Sequence, residues 1–362
     1  MYPRLVINLK KLRQNLDAIA RITTDQGGCS LMVVTKGMCA DREMVDILLN
    51  DERVGYLADA RVRNIKTYYQ DAKTHGKSTV LLRLPMECEI EEAVKYVDIS
   101  FNSEITTIRS LNEEAEKQGK VHKIVLMIDV GDLREGLFFK EEEKIFDTVA
   151  ETLLMKNIEL FGVGVNLTCY GAIIPTDENL SVLVDMAEKI ERKFNIRLEM
   201  RSGGNSSSLY LIWKSGLPKG INNLRVGEAF LLGNDTAYGE RVPGTSGDAL
   251  TLEAQIIELQ GKPSIPIGEI GVDGFGQRPS FEDRGTIKRA ILAIGKQDAD
   301  PDSLKPIDRG IDILGASSDH MIADVTKSER EYKVGDVIGF ELEYRGLLKA
   351  ATSMYVERFY VR

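Results

Sequence analysis

Five short stretches of this chain place reactive or anion-binding groups just beyond an apolar run. VVTKG carries Lys36, IDVGDLREG carries Arg134, GVGVNLTCYGA carries Asn166, MRSGGNSSS carries Asn205 and Ser206, and LRVGEAFLLG carries Arg225, Gly227 and Glu228. A lysine amine that gives up its proton is a nucleophile toward carbonyl carbon and an acid/base group. The run Ser202-Gly203-Gly204-Asn205-Ser206 opens a predicted helix, so its small residues, free backbone N–H groups and hydroxyl could cradle a phosphate. A plain turn and helix cap would also account for that run, and a single lysine after a strand is ordinarily solvated. Lysine on one side and phosphate-binding turns on the other suit a phosphorylated aldehyde cofactor bridging a shared mouth.

Elements with the right repeat must position these groups. Apolar runs rich in β-branched residues at 31–34, 54–57, 79–84, 98–101, 123–129, 159–165, 197–200 and 224–226 read as strands. Between them, helical periodicity covers 42–49, 60–70, 89–96, 104–117, 140–155, 178–194 and 206–215, and a further helix at 9–22 precedes the first strand with Asn8 as its cap. Several strand runs are continuously apolar, as in a parallel sheet covered on both faces. Strand-helix units in this number fit an α/β (β/α)8 TIM-type barrel better than an open doubly wound sheet, and in such a barrel reactive groups collect at the carboxyl ends of the strands. Beyond about Gly233 helical periodicity disappears, and short apolar runs alternate with Gly, Pro and Asp turns. The expected organisation is a barrel over 1–235 and a mostly β carboxyl-terminal domain over 236–362, with residues 1–8 available to pair with the β domain.

Composition narrows the function classes. With 362 residues, 43% apolar and 28% charged, the chain is globular and longer than one average domain. Its 47 basic and 56 acidic side chains give a net charge of -9 without Lys/Arg blocks, which argues against nucleic acid as the partner. No run approaches a membrane span and the amino terminus lacks a signal-peptide core, so a soluble, cytoplasmic protein acting on a small molecule is expected. Three histidines make a multi-histidine zinc site implausible, and four cysteines without a CxxC pair read as reduced thiols.

Taken in order, TKG at Lys36, RLPMECEIEEAVKYVDISFNSE at 83–104, IDVGDLREG at 128–136, SGGNSS at 202–207 and RVGEAFLLG at 225–233 resemble the fold-type III pyridoxal-phosphate enzymes, specifically the alanine-racemase-like group. Each piece is short; their order and spacing over the whole chain make the resemblance. It implies pyridoxal 5'-phosphate in Schiff-base linkage to Lys36, which also serves as one acid/base group at the substrate α-carbon. It further implies phosphate ligands in Ser206 and the backbone of Gly227 and Glu228, with Asn205 beside them and Tyr355 adding a hydroxyl. Apart from the resemblance, Tyr355 reads as a core residue of the β domain. Arg225 matches the arginine facing the pyridine nitrogen, and a guanidinium, always a donor, would keep that nitrogen unprotonated. Arg134 matches an arginine near the cofactor's phenolic oxygen or the substrate carboxylate; a partly exposed loop arginine is the other reading.

The departures bear on catalysis. The group has tyrosine four residues after its lysine, where this chain has Ala40, and histidine against the ring after the sixth strand, where this chain has Asn166. Its second base is a tyrosine from the partner subunit, and the corresponding stretch at 264–277 has none. His320, in SSDHMIADV, is the leading substitute because imidazole titrates in a useful range; a structural histidine is the alternative. Asp319, Tyr238 and Asp273 rank below it. The resemblance implies a head-to-tail homodimer and a racemase of a basic amino acid such as ornithine, whose ammonium Glu269, Asp273, Glu282 or Asp283 could receive. An alanine or broad-specificity racemase, a lyase or deaminase on the same cofactor, and a non-catalytic cofactor carrier are the competing readings.

Overall fold

Residues Met1–Arg362 are described by a computed structural model that divides into two units, Lys11–Gly247 and Met1–Lys10 with Asp248–Arg362. In the first unit, β2 (Ser30–Val34), β3 (Val54–Asp59), β4 (Ser78–Leu81), β5 (Ile99–Asn102), β6 (His122–Asp129), β8 (Ile158–Gly164), β9 (Met200–Ser202) and β10 (Asn223–Val226) form one all-parallel sheet. Pairing of β5 with β6 closes it into a barrel, and the two-residue β7 (Leu137–Phe138) extends the end of β6. The strands are buried along most of their lengths because helices cover the outside while Met32, Val34, Ala58, Val80, Phe101, Val125 and Met127 pack together in one core cluster.

Crossover helices follow the strands: α2 (Arg42–Leu49), α3 (Val62–Thr74), α4 (Ile90–Tyr96), α5 (Ile105–Lys117), α6 (Glu142–Leu154), α7 (Asp177–Phe194), α8 (Leu209–Lys214) and α9 (Glu228–Leu232), with α1 (Leu9–Ala20) ahead of β2. Two of them have side-chain caps at their starts. Asp41 accepts from the Met44 N–H at 3.2 Å to begin α2, and Thr176 with Asn179 forms a reciprocal cap on α7. Asn195, left-handed at φ 50, ends α7.

The second unit is an eight-stranded sheet of β1 (Arg4–Asn8), β11 (Leu250–Pro263), β12 (Thr286–Leu292), β13 (Leu304–Pro306), β14 (Asp312–Ala316), β15 (Met321–Asp324), β16 (Val337–Leu342) and β17 (Glu357–Val361). β1 lies between β11, antiparallel to it, and β17, parallel to it. Contrary to the expectation that helices stop near Gly233, α10 (Tyr344–Thr352) follows β16. Its buried face is Gly346, Leu347, Ala350 and Ala351, too short a stripe to stand out beside the strand runs.

The barrel unit also runs past the expected limit at 235. Asp235 accepts the N–H groups of Ala237, Tyr238 and Glu240, Val242 donates to Gly233, and Ser246 donates to Asn15, so this segment is tied to the barrel.

Candidate active site

Lys36, Arg134, Asn166, Asn205, Ser206, Arg225, Gly227 and Glu228 all lie in or just after the carboxyl ends of barrel strands, so one mouth gathers them. Lys36 follows β2 at the start of a 3-10 turn that ends in two consecutive left-handed residues, Cys39 at φ 52 and Ala40 at φ 54. Left-handed backbone costs a non-glycine residue about 1–2 kcal/mol, and the strain is held by N–H bonds from Met38 and Ala40 to the Thr35 carbonyl, each 3.2 Å. The Lys36 side chain keeps solvent access through the open mouth, yet barrel atoms crowd it. Burial first, then the Arg134 charge, pull its pKa below that of an ordinary lysine, against Cys169, Asp59 and Glu135.

Arg225 is the most committed side chain of the site. It projects from β10 with 4% exposure, donating through Nη1 to Ser202 Oγ at 2.7 Å and through Nη2 to the Val165 carbonyl at 2.7 Å and Asn166 Oδ1 at 3.3 Å. Its guanidinium stands 5.0 Å over the Phe101 ring. Burial brings its pKa down to about 10, which leaves it a cation at neutral pH. Asn166 is bound on its oxygen by Arg225 and by Asn205 Nδ2 at 3.2 Å, while its own Nδ2 is buried with no partner.

The expected phosphate turn is built from small residues for a steric reason. Gly204 sits at φ +107, and a Cβ there would come within 2.6 Å of Ser208 Oγ. Asn205 accepts from the Ser207 N–H at 2.8 Å and from Thr236 at 3.3 Å, and donates to the Leu167 carbonyl at 2.8 Å. Ser206 Oγ accepts from the N–H groups of Gly227 at 3.3 Å and Ala229 at 3.2 Å, which leaves its own proton to donate.

Arg134 pairs with the adjacent Glu135 and touches Cys169 Sγ. The loops carrying Arg134 and Cys169 are joined by Asp132, whose buried carboxylate accepts from the N–H groups of Cys169, Tyr170 and Ile173 at 3.1–3.4 Å. The sequence alone gives Asp132, Ser202 and Asn223 no mark of these roles. The only local signal was a polar residue ending or interrupting an apolar run.

Tyr355 and His320 belong to the other unit. Tyr355 is 57% exposed in the turn between α10 and β17, not the core residue that its bare sequence context suggests. His320 is exposed in the turn from β14 to β15, its backbone tied to Ser317. Of the lower-ranked candidates, Tyr238 packs edge-on against Tyr210 in the barrel unit. Asp273 accepts from the Gln277 and Phe275 N–H groups, which hold its carboxyl below the usual range. Glu282 pairs with Arg284 and Asp283 accepts from Gly285, while Glu269 lies exposed in the same segment.

A cavity of about 460 Å³ opens at the opposite, amino-terminal end of the barrel, with Tyr56, Ser78, Ile99 and His122 among its walls. Its lysines are already engaged: Lys73 with Asp98, Lys95 over Tyr96, Lys120 with the Val94 and Lys95 carbonyls, and Lys123 with Glu159.

Comparison with known proteins agrees with this geometry. A family model described as the alanine racemase N-terminal domain matches residues 7–235. The chain is 52% identical over 358 residues to the ornithine racemase of Acetoanaerobium sticklandii, covering 99% of each chain. It is 39% identical over 360 residues to the lysine racemase of Thermotoga maritima, again covering 99% of each. The solved alanine racemase of Clostridium difficile superposes with a TM-score of 0.73 at 19% identity, covering 99% of this chain and 95% of that one, a likeness that bears on the fold alone. By the family match and by identity along nearly its whole length, the chain belongs to the alanine racemase family.

Proposed function

We propose that the protein is a pyridoxal-phosphate-dependent racemase of ornithine or another basic amino acid. The observation that carries the reading is the gathering of Lys36, the desolvated Arg225 and the Ser206 turn at one barrel mouth, in a chain similar throughout to the two racemases above.

The residues present fit the cofactor. Arg225 has five N–H groups, and its three acceptors leave two for a ring nitrogen; the buried Asn166 Nδ2 is a donor without an acceptor. Ser206, Asn205 and the Gly227 and Glu228 backbone would hold the phosphate, with Tyr355 adding its hydroxyl and Arg134 serving the phenolic oxygen or the substrate carboxylate. Pyridoxal phosphate, when bound, supplies an aldehyde for the amino group and a conjugated ring that weakens the α-C–H bond.

Lys36, whose pKa burial pulls below that of an ordinary lysine, is the group that takes up or returns the α-proton on its own face. Arg225 keeps a ring nitrogen in the accepting, unprotonated state, which limits electron withdrawal and favours return of the proton over transamination. His320 is the group we assign to the opposite face.

A shared-site homodimer is part of this reading. Ile267, Val272 and Phe275 are 93%, 69% and 47% exposed in one segment of the β unit, and Leu133 and Tyr170 are 64% and 78% exposed on the mouth loops of the barrel, so each unit by itself offers apolar side chains to a second copy. A cytosolic setting agrees with four cysteines that form no disulfide.

Polarimetry with L-ornithine, L-lysine and L-alanine, run beside ammonia and keto-acid assays, tests the reading. Loss of optical activity fastest with ornithine is expected; ammonia release matching substrate loss would replace racemisation by elimination. Borohydride should leave a pyridoxyl group on the Lys36 peptide, and an adduct elsewhere would reject the site.

A further inference from the structure

Beneath the reactive lysine lies a buried carboxylate for which the proposed reaction has no use. Asp59, the last residue of β3, is 0% exposed. Its Oδ2 accepts from Thr35 Oγ1 at 2.6 Å, and its Oδ1 accepts from the Arg61 N–H at 2.9 Å and Asn64 Nδ2 at 3.0 Å. All three donors are uncharged. A turn of this kind is satisfied by a neutral amide, and burying a carboxylate without a cation is costly; burial raises the Asp59 pKa against the hydrogen bonds it accepts, so an acid here calls for a reason.

Thr35 supplies it, because the next residue is Lys36. Every polar atom of Thr35 is engaged: its N–H donates to Ala58 at 2.8 Å, its carbonyl receives Met38 and Ala40 at 3.2 Å, and its hydroxyl is held by Asp59. The root of the lysine side chain is thus pinned to β3 on one side and to the strained turn on the other. Tyr68, from α3, brings a buried hydroxyl up to Thr35 and Asp59.

We infer that Asp59 is a positioning residue for Lys36: acting through Thr35 it fixes the root of the side chain, and its carboxylate adds a negative charge that favours the ammonium. The other charged or titratable groups acting on Lys36 are Arg134 and Glu135 from the loop after β6 and Cys169 from the loop after β8. Of the two carboxylates, Glu135 is paired to Arg134, whereas Asp59 has no ion-pair partner of its own. The inference rests on Lys36 being the reactive amine.

Asp59→Asn is a clean removal of charge. The new amide nitrogen can face Thr35, whose hydroxyl then donates to the Ala58 carbonyl at 3.2 Å. The full-length protein freed of cofactor is labelled with acetic anhydride across a pH series, and modification of the Lys36 peptide is followed by mass spectrometry. Asp59→Asn should lower the labelling midpoint by about half a unit or more, roughly a threefold gain in reaction at a fixed pH below it. Thr35→Val should change the limiting reactivity of Lys36 at high pH and lower kcat of the loaded enzyme more than it changes KM, and Thr35→Ser should restore both. An unchanged midpoint in folded Asp59→Asn protein overturns the inference. If that variant does not fold, equal behaviour of Thr35→Val and Thr35→Ser overturns it. A borohydride adduct missing from wild-type Lys36 sinks the proposed site instead, a separate outcome from either.

Discussion

Arg225 donates to Ser202 Oγ at 2.7 Å, and Ser202 in turn donates to Asn223 Oδ1 at 2.6 Å, so the guanidinium of β10 is oriented by a hydroxyl on its neighbour β9. Asn223 continues the chain to Ser30 of β2 at 3.1 Å. Ser202→Ala leaves one buried N–H of Arg225 unmet, a loss of about 1–3 kcal/mol. Urea unfolding should show that loss, and titration with pyridoxal phosphate should show weaker loading. Arg225→Lys should load more poorly still, since one ammonium cannot reproduce a planar fork with three acceptors.

Asp132 clasps two mouth loops by accepting three backbone N–H groups. Asp132→Ala strands those donors and should destabilise the protein by about 2–4 kcal/mol. Limited proteolysis is expected to begin between residues 166 and 175, the stretch the clasp holds down.

His122 is buried and bonded through Nε2 to Ser100 Oγ at 2.8 Å; burial lowers its pKa to about 4 from the usual 6.5. The neutral ring is the folded form. Its contribution is therefore complete above pH 6.5 and declines as pH falls from 6.5 toward 4, by at most about 3 kcal/mol. Denaturation at pH 7, 6, 5 and 4.5 should show His122→Gln less stable than wild type at pH 7 and losing less on acidification.

The opposite-face assignment makes a directional prediction. With His320→Ala, α-proton exchange in D2O followed by NMR should fall at least tenfold from one enantiomer of ornithine and stay within about threefold from the other, tenfold being about 1.4 kcal/mol of barrel-side versus far-side proton transfer. Asp319→Asn serves as the comparison. Equal rates from both enantiomers in both variants would remove these residues from consideration.

The barrel was legible because parallel strands covered on both faces are written as continuous apolar runs, and each of the eight runs overlaps or meets a strand. The seventh shows where that reading loses accuracy. The run at 197–200 suggested a strand that in the structure is Met200–Ser202, shifted toward polar residues. Ser202 faces the site and serves Arg225, so the residue that matters most there weakens the strand signal. Lys36, Ser206 and Arg225 could be chosen from short motifs because each lies at or just beyond the end of an apolar run, within two residues of a glycine. Asp59 and Asp132 could not, because their roles depend on partners that only the closed barrel brings near. Tyr355 and His320 came from resemblance, without a local signal of their own.

The pairing of β1 with both β11 and β17 also concerns the order of synthesis. Arg4 is matched to Glu253 on one side and Glu357 on the other, so β1 has both neighbours encoded far downstream of it. At ~5–20 residues per second, on the order of half a minute separates the emergence of β1 from that of β17. Lys11–Gly247, encoded between them, can complete its sheet in that interval. Leu5 and Ile7, both 0% exposed in the finished protein, wait through all of it for their partners Arg358 and Tyr360.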